Sequence, residues 1–105
     1  MIQRPKTPEE YVDLVEQALY EVEELRLAGD YDAESPAPAV EILDHLEKEL
    51  RGLRAAMADG SYHFGRADLP FIARIQRQDD HVLPIKPLLY AINRTHKEGL
   101  DADDT

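Results

Sequence analysis

Four histidines and a run of linker carboxylates are the side chains of this sequence best suited to hold a metal or move a proton. His45, His63, His81 and His96 include no pair at the spacing that sets two imidazoles on one helical turn. None has a glutamate three residues before it, as a dinuclear carboxylate bundle requires. Glu41 and His45 are one turn apart but face away from the Leu43–Leu46 stripe, which makes them a surface pair. Asp30, Asp32, Glu34 and Glu41 fall at positions 1, 3, 5 and 12 of a twelve-residue window, the carboxylate spacing of a calcium-binding EF-hand loop. Ser35 stands where that loop turns on glycine, and Pro36 and Pro38 stiffen its middle, so the window reads as a polar linker. Cysteine is absent, which removes thiolate nucleophiles, cysteine-based zinc sites and iron–sulfur ligation. No phosphate-binding glycine loop, serine elbow or supported carboxylate pair occurs. The expectation is a protein without enzymatic activity, metal or cofactor.

One constellation stands apart. The aromatic loop Tyr62-His63-Phe64-Gly65-Arg66 precedes a C-terminal helix on which His96 shares a face with Ile85, Leu89 and Ile92, with Asn93 at its edge. Polar groups facing a core need hydrogen-bond partners or cost about 1–3 kcal/mol each. Two readings follow: Asn93 and His96 bond neighbouring backbone as a structural network, or they floor a small site closed by the loop. The candidate binding residues are therefore Tyr62, His63, Phe64, Arg66, Asn93 and His96.

The elements that must position them are helical. Tyr11, Val15, Ala18, Val22 and Leu25, and then Ala39, Leu43, Leu46, Leu50, Leu53 and Met57, recur at spacings of four and three, which keeps each stripe on one helix face. Two such stripes joined by a proline-bearing linker bury each other as an antiparallel hairpin. Thr7-Pro8-Glu9-Glu10 supplies a cap, a proline at the first helical position and a glutamate able to return a bond to the Thr7 amide. That helix is expected to reach Ala28 and close at Gly29. With Val12, Leu14 and Leu19 its apolar sector is nearly half the circumference, wide enough for several neighbours. The second helix is expected over 36–58, closed by Asp59-Gly60, with Gly52 on its outer face. Asp68 is the expected cap of a short third helix through Gln78, bearing Leu69, Phe71, Ile72 and Ile75. A fourth begins near Pro84 and ends in a Schellman closure at Gly99-Leu100. No segment alternates as a strand. The fold class is all-α: a long helical hairpin with two shorter helices packed on it, one domain over 1–105, with 1–6 and 101–105 frayed.

Composition narrows the partners. A chain of 105 residues and 43% hydrophobic content buries roughly 65% of its unfolded surface, enough for a core without staples. Residues 1–60 hold fifteen acidic and six basic side chains, and residues 61–105 hold seven and six. The total of −10 therefore resides almost wholly in the hairpin. Such a surface repels phosphate backbones and anionic membranes, so neither nucleic acid nor membrane is expected as a partner. A solvated face accounts for it; an imitation of nucleic acid is the sharper alternative. No apolar run approaches the roughly 18–20 residues of a membrane span, and the N-terminus lacks the apolar core of a signal peptide. With no cysteine, a cytoplasmic location is expected. Arg26 and Arg54 point toward the apolar sectors, where their stems can cover the core while the charge reaches water. Tyr20 and Leu27 lie on the far side of the first helix and make a homodimer a second expectation.

Asp68-Leu69-Pro70-Phe71, Leu83-Pro84-Ile85 and the run Ile92-Asn93-Arg94-Thr95-His96-Lys97-Glu98-Gly99-Leu100-Asp101 resemble a group of short, uncharacterised bacterial all-α proteins. The resemblance covers residues 60–101, and some members carry an automatic label linking them to a general secretion pathway. That label belongs to a polytopic membrane protein, whereas this chain has no apolar span, so the resemblance implies no activity. The functional expectation is a small interaction or regulatory protein acting through a helical surface on a protein partner or on itself. A ligand-binding domain built on the 62–66 loop with Asn93 and His96 is the alternative.

Overall fold

The first helix starts as the capping residues require. Thr7 Oγ1 accepts from the Glu10 amide at 3.1 Å, satisfying one of the donors that a helix leaves open at its N-terminus. Glu10 returns its bond one residue earlier than expected, accepting from the Lys6 amide at 3.1 Å. The computed structural model describes residues 4–31, 40–80 and 83–100, with side chains for all but 28–31 and 40. It contains α1 (Pro8–Tyr31), α2 (Val40–Asp59), α3 (Phe71–Ile75) and α4 (Lys86–Glu98). Among the described residues there is no strand, and no helix is long and apolar enough to cross a membrane.

α1 and α2 run antiparallel, because Arg26 pairs with Asp44 and Glu47, Glu23 with Arg51, and Tyr11 with Tyr62. As one residue number falls, its partner's rises. α1 packs on both α2 and α4, and α3 packs on α2 and α4. The four helices therefore close a ring, which explains why the apolar sector of α1 is wider than one partner would need. The core joins Tyr11, Val15, Ala18, Leu19 and Val22 of α1 with Leu43, Leu46 and Leu50 of α2. Phe71, Ile72 and Ile75 of α3, and Leu88, Leu89 and Ile92 of α4, complete it. Each large side chain buried there contributes about 1.5–3 kcal/mol relative to exposure.

Several boundaries differ from expectation. α1 continues through Gly29 to Tyr31, so that glycine does not close it. The expected start of α2 at 36–39 and the linker carboxylates Asp32 and Glu34 lie outside the described residues, as does His81. α2 does close at Gly60, whose φ of +80° favours glycine, and the Ser61 and Tyr62 amides both donate to Ala56 O. α3 is shorter than expected. Pro70 holds its cap position with no side-chain hydrogen bond, because Asp68 is engaged by α4 instead. α4 starts at Lys86 rather than Pro84; a turn precedes it, and Pro87 sits in its first turn. Gly99 ends it with φ +85° and ψ −178°, outside the left-handed helical well of a Schellman closure, and its amide bonds Thr95 O at 2.7 Å. Leu100 still folds back onto the core. Arg26, itself partly buried, forms ion pairs with α2, and Arg54 is exposed.

Candidate functional site: an aromatic groove held by a histidine–tyrosine chain

The antiparallel register brings the start of α1, the end of α2, the 61–65 segment and the end of α4 to one place. Tyr11, the first member of the α1 stripe, is 2% exposed. A buried phenol needs a partner for its hydroxyl, and Tyr11 Oη donates to the carbonyl of Ile92 at 3.1 Å. The same oxygen lies 3.0 Å from Tyr62 Oη. Tyr62 Oη in turn lies 2.6 Å from His96 Nδ1.

Proton counting fixes the direction of this chain. Each hydroxyl owns one hydrogen, and the Ile92 carbonyl can only accept. Tyr11 has therefore spent its hydrogen on Ile92, so the Tyr62 hydrogen fills the Tyr11–Tyr62 contact. The remaining contact is then filled only by a hydrogen on His96 Nδ1. The sequence of donors is His96 Nδ1–H to Tyr62 to Tyr11 to Ile92 O. Burial holds the His96 pKa below its ordinary value, which keeps the ring neutral near pH 7 with its lone pair on Nε2. Burial also raises both phenols, so neither hydroxyl ionises near neutrality.

The loop is fixed to α4 by backbone as well as side chain. The Gly65 amide donates to the His96 carbonyl at 3.2 Å. A Cβ on residue 65 would stand 3.1 Å from His96 Nε2, so this close approach is open to glycine and tight for anything larger. Phe64 stacks on Tyr11 with centroids 5.9 Å apart and planes 7° apart. Tyr62 meets Phe64 edge-on at 5.2 Å and Tyr11 edge-on at 5.7 Å, within the range in which ring pairs attract. Phe64 nevertheless remains 47% exposed.

Beside these rings runs an open groove of about 350 Å³, lined by Pro8, Glu9, Tyr11, Val12, Met57, Gly60, Tyr62, Phe64 and Leu100. Its lining residues are apolar or aromatic apart from Glu9, the one charged residue among them. The tyrosine hydroxyls beside it are already committed to each other, to His96 and to Ile92. The groove can take up an apolar group; it has few free polar atoms with which to orient a reaction.

Of the six residues singled out by sequence, the structure gathers Tyr62, Phe64 and His96. Asn93 serves a different junction. Its Oδ1 accepts from the Leu69 amide at 2.7 Å and its Nδ2 donates to Asp68 Oδ1 at 3.0 Å. Lys97 Nζ reaches the same oxygen at 3.0 Å. The bonds from Asn93 and then Lys97 hold the Asp68 carboxyl below the ordinary carboxylate range. Asn93 thus ties the approach to α3 onto α4, away from the groove. His63 and Arg66 are exposed and make no side-chain hydrogen bond among the described residues. Tyr11 belongs to a stripe whose spacing signals only core. The signal available for it was its hydroxyl, which a core position must satisfy. Glu9, read as part of a helix start, is the charged residue of the groove. No group of histidine and carboxylate side chains able to hold a metal occurs among the described residues. Compared with protein-family models, with curated proteins and with solved structures, the chain finds no match.

Proposed function

We propose that this is a small interaction or regulatory protein whose working surface is the aromatic groove at the start of α1. One observation carries the reading: Phe64 is half exposed while the ring stack and the loop behind it are held by hydrogen bonds to α4. A large apolar side chain held still at a surface loses little freedom when a partner covers it. The groove volume also reaches the lower end of small-molecule sites. However, the engaged hydroxyls leave such a ligand little polar recognition, which favours an apolar element of a protein over a polar metabolite. The nucleic-acid-mimic reading is weakened by Arg26 and Arg51, which bridge Glu23, Asp44 and Glu47 and interrupt a carboxylate strip. The cysteine-free composition fits the cytoplasmic location proposed with this role.

The test is affinity capture from the native host with three baits. A partner held by the wild type and by Leu27→Glu, and released by Phe64→Glu, supports the groove. Release by Leu27→Glu alone moves the function to the other end of α1. That second reading, a homodimer, rests on Tyr20 at 60% and Leu27 at 50% exposure, two turns apart on one face. Light scattering at on the order of 100 µM decides it, since an interface that matters at cellular concentrations is populated there; a monomeric mass removes it.

A further inference from the structure

The groove holds a pattern of charge that specifies its occupant more closely. Its lining includes the aromatic residues Tyr11, Tyr62 and Phe64, and its one charged residue is Glu9. Among the described residues the Glu9 side chain makes no hydrogen bond or ion pair. Ring faces carry negative potential and attract cations, and an unpaired carboxylate does the same. No basic side chain lines the groove, and the chain as a whole carries −10. A second copy would bring −10 against −10 and set its own Glu9 near this one. An acidic or phosphate-bearing partner meets the same repulsion.

We infer that the groove receives a segment of a partner protein bearing an aliphatic side chain next to a lysine or arginine. The aliphatic group lies on the rings, and the cation reaches Glu9 at the rim. This rests on the groove being the interaction surface, and the two statements fail separately.

Three short blocked peptides test it: acetyl-Gly-Lys-Leu-Leu-Lys-Gly-amide, and the same peptide with glutamine or with glutamate at both lysine positions. Each is titrated into the ¹⁵N-labelled full chain at 0.1 M ionic strength, up to on the order of several mM, the range of weak single-site contacts. The lysine peptide is expected to shift the amides of Val12, Phe64 and Leu100 and to bind about fivefold more tightly than the glutamine peptide, the gain of one solvated charge contact. The glutamate peptide binds more weakly than either. Glu9→Gln erases the preference for lysine over glutamine. Glu24→Gln, which removes the same charge about 22 Å further along α1, leaves it intact. Equal binding of the lysine and glutamine peptides overturns the inference, as does a preference that survives Glu9→Gln or falls equally in Glu24→Gln. In all three cases groove shifts with the glutamine peptide leave the interaction surface standing. If no peptide moves the groove amides, the surface itself is rejected, and the inference with it.

Discussion

At one end of the hairpin α1 is enclosed by α2, α4 and the 61–65 segment; towards the other, α2 is its neighbour. The enclosed end carries a directed hydrogen-bond chain through His96, Tyr62 and Tyr11, with Tyr11 almost fully buried. The open end is tied by Arg26 and Arg51 to the carboxylates of Asp44, Glu47 and Glu23, with side chains about a third to more than half exposed. Polar contacts in the first region are buried or part-buried, so breaking one costs more; those in the second are more open and exchange with water at little cost. The same two helices thus hold a specified geometry at one end and a tolerant one at the other. The groove is built where the geometry is specified.

Core truncation gives the widest separation. Ile92→Ala, at a position with no exposed surface, is expected to cost about 2–5 kcal/mol in urea unfolding. Leu25→Ala, at a partly buried position near the open end, is expected to cost less than half as much. Equal losses would break the comparison. Next is Asn93→Ala, which strands the Leu69 amide and frees Asp68; about 1–3 kcal/mol should be lost, with Phe64 ring contacts preserved in NOE spectra. Unchanged stability would return Asn93 to the list of site residues.

A matched pair of polar deletions sharpens the contrast. Tyr62→Phe should cost about 1–2 kcal/mol and release His96 from its Nδ1–H form, seen in imidazole ¹⁵N shifts. Arg26→Gln should cost at most about 1 kcal/mol, and less in high salt. If the arginine costs more than the phenol, the assignment of the ends is reversed.

The smallest effect is in pH. Because burial lowers the His96 pKa in the folded state from its ordinary 6.5, the unfolded chain takes up the proton first on acidification. Stability from this group is complete above about 6.5 and declines as pH falls from there to the folded value. Burial acts oppositely on Glu49 by raising its pKa, partly offset by Arg74 and the Phe71 amide, so that group favours the folded state as pH drops into the carboxylate range. The wild-type slope between pH 7.5 and 6 should vanish in His96→Gln.

Helices were legible in the sequence because stripes of Leu, Val and Ile report burial directly. The paired stripes predict α1 and α2, and the Pro84–Gly99 stretch predicts α4, with ends displaced by a few residues. The displaced ends have specific causes. Asp68 has the right type for a cap, yet Asn93 and Lys97 of α4 offer its carboxylate three-dimensional partners that spacing cannot reveal. Gly29 has the freedom to end a helix but no requirement to do so. For the site, periodicity placed His96 and Asn93 on one face, and the loop supplied Tyr62 and Phe64. It could not separate the histidine that meets the loop from the asparagine that meets Asp68, since that depends on where two loops cross α4. Tyr11 was visible as core alone because apolar spacing says nothing about where a hydroxyl points.

The central claim is that the 61–65 segment, which has no helix or strand of its own, is held to α4 so that the groove stands ready before any partner arrives. Native-state hydrogen exchange at the Gly65 amide reads this contact with the His96 carbonyl. Protection of at least about a hundredfold, near 3 kcal/mol of opening free energy, falling sharply in Tyr62→Phe, is the expected result. Exchange of that amide at the rate of an unstructured peptide, while α1 and α2 stay protected, would contradict it.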